Sequence, residues 1–309
     1  FGSRLKVCHC FIYSLGSDMS SSADDVAPLV ILCGDQPAHE ACHALVSALQ
    51  RSGFARVRLP DLLPMSLAEG ALRCCAEVLQ TDVAIVHPSD PKRYVMFKRN
   101  DVEACSELSL WWNALASAKM RVLSALEIGL GLETATLLHH HVEGNDSMRL
   151  LCYPPVEAST GNRCKEHSDY GSITLLLQDA SGGLEVQTEA GIWQPVPLAE
   201  STEDVTLVLN AGSLLSLLTR DAVRATRHRV PGPASLESGT PADMLLSAST
   251  RWRHSIAFFV DPDASLKLSL ESDPVETKVQ GDMTVAEYVS WRCGGGDGVA
   301  YHPGESPKL

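Results

Sequence analysis

Two histidines and one aspartate have the residue types of a metal site. His167 and Asp169 stand two positions apart, before an apolar run typical of a buried strand, and His228 lies in a later β-rich segment. Residues i and i+2 of a strand point to the same face, so His167 and Asp169 are expected to reach the same ion. Two imidazoles and one carboxylate are the ligand set of non-haem Fe(II) centres with open positions. Catalytic zinc sites accept similar ligands, so these three residues alone leave both metals open.

An arginine and a serine on one later strand indicate that the same site binds an anion. Arg253 and Ser255 stand two positions apart in RHSIAFF, so they share a face of the predicted strand. An unpaired guanidinium inside a protein carries a large desolvation cost. A carboxylate satisfies the guanidinium with two parallel hydrogen bonds and also accepts one from the serine hydroxyl. These residues therefore favour a metal and a small dicarboxylate bound together.

The composition predicts a globular protein and disfavours several classes of partner. Of the 309 residues, 45% are hydrophobic and 20% are charged, which suffices for one large domain or two modest ones. The formal net charge of −13 disfavours nucleic acid and anionic membranes, because binding to them depends on clustered lysine and arginine. Ten cysteines without paired CxxC motifs favour reduced thiols over a secreted disulfide framework. We expect a cytoplasmic monomer that acts on a small molecule and binds neither nucleic acid nor a membrane.

The first half of the chain has mainly helical patterns with a few strands. Apolar residues recur at helical spacing from Val102 to about Leu132, and the segment 65–80 also indicates a helix. FARVRL, at 54–59, alternates as a strand does. The three consecutive histidines at 139–141 are interpreted as a solvated helix end, because successive helical residues point about 100° apart and three of them do not face one ion.

The pattern changes near residue 148. Short β-rich segments follow one another, broken by glycine, proline and aspartate, and this rhythm predicts an antiparallel jelly roll. Residues 233–251 interrupt it as a polar insertion loop. Thr284 and Glu287 form a capping box, which predicts a last helix ending near Arg292.

The predicted fold class is mainly β with α, a double-stranded β-helix (jelly-roll) core with a helical N-terminal region packed on it. The domain organisation that we expect is a disordered leader at 1–25, a helical and mixed N-terminal domain at 26–145, the jelly-roll domain at 146–265, a C-terminal segment with a helix at 266–293 and a flexible tail at 294–309.

Five sequence blocks carry a resemblance to a known family. They read HSDYGSITLLLQDASGGLEVQ, WQPVPL, LVLNAGSLL, RHRVPG and RHSIAFFVDPD. In order and spacing they resemble the 2-oxoglutarate/Fe(II)-dependent dioxygenases, in the branch that includes isopenicillin N synthase and the plant-type oxygenases. LQRSGFARVRLPDL at 49–62 and ALEIGLGL at 125–132 are similar to the N-terminal half of that branch. The resemblance extends over about residues 27–292 and is strongest from 148 to 263.

This resemblance implies a site and a reaction. The implied iron ligands are His167, Asp169 and His228. The residues implied for 2-oxoglutarate are Arg253 and Ser255 at its distal carboxylate, with Tyr153 lining the site. Members of this family use Fe(II), 2-oxoglutarate as cosubstrate and O2, and they release succinate and CO2. The expected activity is the oxidation of a small organic substrate, most simply its hydroxylation.

Two positions depart from the family's pattern and leave alternatives open. Leu151 stands where many plant-type members carry asparagine, and isopenicillin N synthase, which uses no 2-oxoglutarate, also has leucine there. An iron oxidase without 2-oxoglutarate is therefore one alternative. Ser213 replaces a frequent aspartate, and we expect this to affect the fold only. A catalytically inactive jelly-roll binding protein is the other alternative, which the intact triad disfavours, and a zinc hydrolase lacks an evident general base.

Overall fold

The structure is a computed structural model, and it describes residues 26–88, 90–155, 161–198, 204–232, 252–268 and 283–293. The predicted leader at 1–25, the insertion at 233–251 and the tail at 294–309 lie outside the described residues.

Fourteen strands and five α-helices make up the described chain. The strands are β1 Leu29–Ile31, β2 Phe54–Arg58, β3 Ile85–Val86, β4 Arg93–Phe97, β5 Ser147–Tyr153, β6 Cys164–His167, β7 Ile173–Gln178, β8 Glu185–Gln187, β9 Trp193–Pro195, β10 Thr206–Ala211, β11 His228–Val230, β12 Arg253–Val260, β13 Lys267–Leu268 and β14 Met283–Thr284. The helices are α1 His39–Arg51, α2 Met65–Val78, α3 Ser106–Leu130, α4 Ser213–Leu218 and α5 Val285–Cys293. Two short 3-10 helices span Asp101–Ala104 and Leu138–His141.

Two sheets form the predicted jelly roll. The larger has eight strands in the order β1-β2-β10-β7-β12-β5-β4-β3, and the smaller has four in the order β6-β11-β8-β9. All pairings within both sheets are antiparallel except that of β1 with β2. Alternate residues of β12 point into two different hydrophobic clusters. Phe258 packs in the cluster that includes the helices, and Ala257 lies in the cluster between the two sheets. The predicted fold class is confirmed.

The long helix α3 covers the outer face of the larger sheet. Trp111 and Trp112 are buried in the core there, and the Trp112 ring meets the Phe258 ring edge to face with 5.0 Å between centroids. The helix ends at Gly131, whose φ of 66° lies in the left-handed region that glycine adopts without strain. The helical pattern from Val102 to about Leu132 therefore corresponds to the 3-10 turn Asp101–Ala104 and to α3, which ends at Leu130.

The N-terminal segment and the jelly roll share one sheet. Strand β2 pairs with β10 at one side of the larger sheet, and β4 pairs with β5 at the other side. Strands from both sides of the predicted boundary between residues 145 and 146 therefore belong to one sheet. The sequence does not show this, because local strand patterns do not reveal which distant strands pair.

His141 corrects the interpretation of the three histidines at 139–141. Its side chain is buried, its Nδ1 lies 2.6 Å from the Leu137 carbonyl oxygen, and its Nε2 lies 2.9 Å from the Ser172 hydroxyl. Burial lowers the pKa of His141 to about 4. The prediction of a solvated helix end is wrong for this residue, because the 3-10 turn packs against the loop before β7.

The capping box at the last helix is confirmed. The Glu287 carboxylate accepts hydrogen bonds from the Thr284 backbone N–H and hydroxyl at 2.7 and 2.9 Å, and the Glu287 N–H donates to the Thr284 hydroxyl. In the part of the chain that the structure describes, no helix combines the length and the apolar character needed to cross a bilayer. The seven cysteines whose side chains the structure describes are all free thiols, although the Cys74 and Cys105 sulfurs lie 2.7 Å apart.

Candidate metal centre

Strand pairing brings the two histidines of the site together. His167 ends β6, His228 begins β11, and the two residues are direct register partners in the smaller sheet. Their ring centroids lie 4.3 Å apart. Asp169 stands in the connection between β6 and β7, and its Oδ1 lies 3.7 Å from His167 Nε2 and 3.8 Å from His228 Nε2. One potential ligand atom from each residue thus lies within 4.8 Å of the others, close enough for one ion.

The position of Asp169 corrects one detail of the sequence prediction. His167 and Asp169 do converge, but strand alternation is not the cause, because β6 ends at His167 and β7 begins only at Ile173. The intervening turn directs the carboxylate back toward the imidazoles. Gly171 and Gly212 permit this turn, since a Cβ on Gly212 would overlap the Gly171 carbonyl oxygen.

Backbone carbonyl groups orient both imidazoles. His167 Nδ1 lies 2.8 Å from the Lys165 carbonyl oxygen, and His228 Nδ1 lies 3.3 Å from the Thr226 carbonyl oxygen. A carbonyl oxygen only accepts hydrogen bonds, so Nδ1 carries a proton in each ring, and Nε2 is the nitrogen available to a metal. Both Nε2 atoms face Asp169, as ligands to a common metal would.

The two oxygens of the Asp169 carboxylate have different surroundings. Oδ2 accepts two hydrogen bonds from the protein, whereas Oδ1 faces the two histidines. Oδ2 accepts from the Thr174 hydroxyl at 2.6 Å and from the Asn210 side-chain amide at 2.8 Å. Burial alone would raise the pKa of Asp169, but the two imidazoles and these two donors outweigh it and hold the pKa below its usual value. Oδ1 is left to face the histidines, which suits a single metal–oxygen bond.

Asn210 and Thr174 are site residues that the sequence analysis missed. They are register partners on β10 and β7, so their side chains meet the carboxylate from neighbouring strands. Ser213, just beyond the Asn-x-Gly turn, also donates from its hydroxyl and its backbone N–H to the Asp169 carbonyl oxygen, at 3.1 and 2.9 Å. The sequence Asn210-Ala211-Gly212 indicates a turn, but only the register of β10 against β7 shows that Asn210 reaches Asp169.

Arg253 and Ser255 form the expected pair on β12. Both are fully buried, and the Arg253 Nη1 donates to the Ser255 hydroxyl at 3.1 Å. The guanidinium also donates from Nε to the Gly182 carbonyl oxygen at 2.6 Å and from Nη2 to the Gln178 side chain at 3.1 Å. These bonds fix the planar group, so it is oriented before any anion arrives.

Tyr153 lies beside this pair. It is the register partner of Arg253, and the guanidinium carbon lies 4.8 Å from the centre of its ring. Burial raises the pKa of the Tyr153 hydroxyl above its usual value, so the group is neutral. Leu151, one inward-facing position along the same strand, places an apolar side chain opposite Ser255.

One cavity between the two sheets joins all of these groups. Its wall includes the six predicted site residues, which are His167, Asp169, His228, Arg253, Ser255 and Tyr153. Apolar side chains, among them Leu151, Leu176 and Leu184, contribute further to the wall. Two imidazoles, one carboxylate held by hydrogen bonds and a preoriented guanidinium are chemically suited to a divalent metal with a carboxylate ligand beside it.

Comparisons with known proteins agree with this chemistry. The profile of the 2OG-Fe(II) oxygenase superfamily matches residues 144–262, a segment that contains all six residues. Relatives include the 2-oxoglutarate-dependent dioxygenase gloF of Glarea lozoyensis, 31% identical over 176 residues, which are 54% of this chain and 51% of the relative. The proline hydroxylase buaE of Petromyces alliaceus is 32% identical over 182 residues, covering 56% and 53%. The chain thus spans about half the length of the curated relatives that it matches.

Solved structures share the fold. A full-length Neurospora crassa protein, crystallised in complex with alpha-KG and 5-formyluracil, superposes with a TM-score of 0.68 at 23% identity, covering 89% of this chain and 99% of that one. A 2OG-Fe(II) oxygenase family protein from Caulobacter crescentus superposes with a TM-score of 0.68 at 21% identity, covering 86% and 98%. The segment that carries the candidate site is thus similar to the 2OG-Fe(II) oxygenase superfamily, and the chain shares its fold with the solved structures.

Proposed function

We propose that this protein binds Fe(II) through His167, Asp169 and His228 and uses 2-oxoglutarate and O2 to oxidise a small organic substrate. Hydroxylation is the simplest outcome, with succinate and CO2 as coproducts. The observation that carries this proposal is the single cavity that joins the triad to the buried Arg253–Ser255 pair. The names of the relatives, several of which are 2-oxoglutarate-dependent dioxygenases, support the same cosubstrate.

When bound, Fe(II) with 2-oxoglutarate supplies the activation of O2 and the oxidation of a substrate C–H bond. The protein's first task is to present ligands in the right protonation state. The Lys165 and Thr226 carbonyl oxygens accept the Nδ1–H of the two histidines and leave both Nε2 atoms as ligands. Thr174 and Asn210 hold the carboxylate so that it offers one oxygen and leaves room for other ligands.

The second task is to hold a dicarboxylate in one orientation. Arg253 would receive the distal carboxylate in a two-point contact, and the Ser255 hydroxyl would donate a further hydrogen bond. The Tyr153 ring covers one side of the guanidinium and excludes water from it. Leu151 and Leu176 add apolar wall, which strengthens these charged contacts by lowering the local dielectric.

Leu151 favours a second candidate, an iron oxidase that uses no 2-oxoglutarate. An apolar side chain at this position donates no hydrogen bond to a metal-bound carboxylate, and a substrate carboxylate could occupy the Arg253–Ser255 pair instead. The triad of His167, Asp169 and His228 would bind iron in either enzyme, so it does not discriminate between the two functions. The cosubstrate therefore distinguishes them.

Anaerobic calorimetric titration tests the proposal in two steps. Fe(II) is added to the apoprotein first, and 2-oxoglutarate is added to the iron-loaded protein second. We expect one iron per chain, and then one 2-oxoglutarate whose affinity falls at least tenfold in Arg253→Gln. Iron binding that is lost in His167→Ala, without any 2-oxoglutarate binding in the parent, would favour the oxidase. Absence of iron binding would favour a binding protein without turnover.

A further inference from the structure

A row of polar side chains crosses the larger sheet on the face that is turned away from the cavity. Cys152 on β5 is the register partner of His254 on β12 and of Arg93 on β4. Asp179 follows β7 beside His254, and its backbone N–H donates to the His254 carbonyl oxygen at 3.1 Å. Register partners on neighbouring antiparallel strands project from the same face of a sheet. These four side chains therefore form one row, and none of them lines the cavity.

His254 connects the sulfur of Cys152 to the carboxylate of Asp179. Its Nε2 lies 3.4 Å from the Cys152 Sγ, and its Nδ1 lies 3.6 Å from the Asp179 Oδ2. The same Oδ2 accepts a hydrogen bond from the His254 backbone N–H at 2.6 Å, and Oδ1 accepts one from the Ser181 backbone N–H at 2.9 Å. The carboxylate is thus held in place, and the imidazole lies between it and a thiol. Proteins activate sulfur nucleophiles with this order of groups.

The charges in the row favour a protonated imidazole. Burial opposes ionisation of Asp179, but the hydrogen bonds from His254 and Ser181 outweigh burial and hold the pKa of Asp179 below its usual value. Asp179 and then Cys152 raise the pKa of His254 to about 9, so the imidazole carries a positive charge at neutral pH. A cation in contact with a thiol stabilises its thiolate, which is the nucleophilic form of cysteine.

Two further titratable groups lie beside Cys152 in the described structure. Arg93 stands next to it on β4 and donates from Nη2 to the Thr81 carbonyl oxygen at 3.1 Å, so a second cation is held at this end of the sheet. Cys75 of α2 interacts electrostatically with Cys152 and Asp179, and burial raises the pKa of the Cys75 thiol above its usual value. Cys75 is therefore a neutral thiol, whereas Cys152 is in contact with the imidazole.

Solvent reaches the row from the side of His254 and Asp179. Cys152 is only 7% exposed, but the side chains of His254 and Asp179 are 22% and 23% exposed. So small an exposed area at the sulfur suits a reagent of a few atoms and does not suit a peptide or another large substrate. Hydrogen peroxide is a reagent of this size, and it reacts with thiolates.

We propose that Cys152 is a reactive thiol that hydrogen peroxide oxidises to a sulfenic acid. The sulfur attacks one peroxide oxygen as its thiolate, so an S–O bond forms and the O–O bond breaks. The sulfur loses two electrons to the peroxide, and His254 Nε2 gives its proton to the departing hydroxide, which leaves as water. The row and the cavity lie on opposite faces of β5 and β12, so this inference does not depend on the proposed function.

Peptide-resolved trapping of sulfenic acid measures this reactivity. The full chain is treated with hydrogen peroxide in the presence of a metal chelator, and a cyclic diketone captures each sulfenic acid for mass spectrometry. Cys33 is the internal comparator, because it is exposed. We expect Cys152 to be labelled at least tenfold faster than Cys33, since only roughly a few per cent of an ordinary thiol is ionised near neutral pH. Equal or faster labelling of Cys33 would show that exposure decides the rate, and would overturn the proposal.

Two variants test the part that His254 and Asp179 play. His254→Gln removes the cation and keeps a polar side chain, and we expect it to slow the labelling of Cys152 at least tenfold. Asp179→Asn removes the charge that holds the proton on His254, so it should also slow labelling, and it remains as a test if the first variant does not fold. His139→Gln is the matched control, because it makes the same substitution at an exposed histidine, and it should behave as the parent does. Unchanged labelling in His254→Gln would contradict the role of the imidazole.

The ultraviolet absorption of a thiolate provides an equilibrium measurement that does not depend on access of peroxide to the sulfur. At neutral pH the parent should absorb more strongly than Cys152→Ser by the contribution of one thiolate. The same comparison made in the His254→Gln background should show no difference. A variant that only opened or closed the path to the sulfur would change the labelling rate and leave this absorption as it is. If the parent and Cys152→Ser absorb equally, Cys152 is a neutral thiol and the proposal is wrong.

Discussion

At the scale of single residues, hydrogen bonds within the protein determine which atom of each side chain in the candidate site remains available to a metal. Nδ1 of each histidine is committed to a carbonyl oxygen, and Oδ2 of Asp169 is committed to Thr174 and Asn210. What remains are the two Nε2 atoms and one oxygen, facing one another. Residues that do not touch the metal therefore determine how the metal would be held.

Removing one supporting hydrogen bond should weaken iron binding without unfolding the protein. Asn210→Ala deletes one of the two donors to Asp169 Oδ2, so the carboxylate is free to rotate. We expect the Fe(II) affinity to fall roughly 10- to 100-fold, as for other partners of metal ligands. Anaerobic metal titration measures it, with Asn113→Ala as control, because Asn113 is exposed on α3 and accepts a hydrogen bond from Arg99. Equal affinities in the two variants would contradict the role of Asn210.

His141 makes stability fall in acid. Its pKa is about 4 in the fold against 6.5 for an ordinary histidine, so the unfolded chain binds more protons between these values. The contribution is complete above about pH 6.5 and is lost as the pH falls toward 4. We expect the free energy of unfolding to drop by roughly 1–3 kcal/mol more in the parent than in His141→Gln between about pH 7 and about pH 4.5. Urea unfolding measures this, and the exposed His139→Gln should behave as the parent does.

The residue types of the site could be predicted from the sequence, but its supporting contacts could not. The chemistry of the two histidines, the aspartate, the arginine and the serine can be inferred from their types and spacing alone. The structure places all five side chains on the wall of one cavity. The role of Asn210 depends on the register of β10 against β7. The burial of His141 depends on a loop contact with Ser172. Both are long-range contacts, which periodicity along one segment does not report.

At the scale of elements, close backbone packing positions the sheets and helices that carry the site. Strands β6 and β11 align the two histidines, and α3 packs behind β12, which carries Arg253 and Ser255. Near its end α3 also approaches α1 closely at Gly129, where an added Cβ would overlap the Cys42 carbonyl oxygen and the Val46 side chain. The contact is with backbone, so a side-chain rearrangement does not relieve it.

Alanine substitutions at two helical glycines should have opposite effects. In a helix, alanine is favoured over glycine by about 1 kcal/mol. At Gly70 in α2 the added Cβ would meet its nearest atoms at 3.6 and 3.7 Å, which is ordinary contact, so Gly70→Ala should stabilise the fold. At Gly129 the overlap should outweigh the preference, and we expect Gly129→Ala to lower the free energy of unfolding by roughly 1–3 kcal/mol. Chemical denaturation of both variants compares them, and a stabilised Gly129→Ala would show that the helices are not in close contact.

At the scale of the whole molecule, the N-terminal segment and the jelly roll share one sheet and one hydrophobic core. Strands β2 and β4 flank the jelly-roll strands of the larger sheet, and α2 and α3 bury its outer face. The local sequence predicts helices and strands in this segment, but it does not predict that they complete a sheet whose other strands come later. The site therefore lies inside a unit built from both parts.

Separating the two parts should abolish cooperative folding. Expression of residues 146–293 alone would expose β10 and β5 as unpaired edges and uncover the core beneath α3. We expect this fragment to aggregate or to show no cooperative thermal transition, whereas residues 26–293 unfold in one. Circular dichroism during heating distinguishes the outcomes. A single sharp transition in the shorter fragment would instead support the domain boundary between residues 145 and 146.

The proposed iron and 2-oxoglutarate site is tested most simply by an anaerobic visible-absorption titration with Fe(II) followed by 2-oxoglutarate. A charge-transfer band arises only when a keto acid chelates iron, so it reports metal and cosubstrate in one site. We expect a band in the parent, a weaker band in Arg253→Ala at the same 2-oxoglutarate concentration, and none in His167→Ala. A protein that binds iron through the triad and gives no band at saturating 2-oxoglutarate would contradict this expectation.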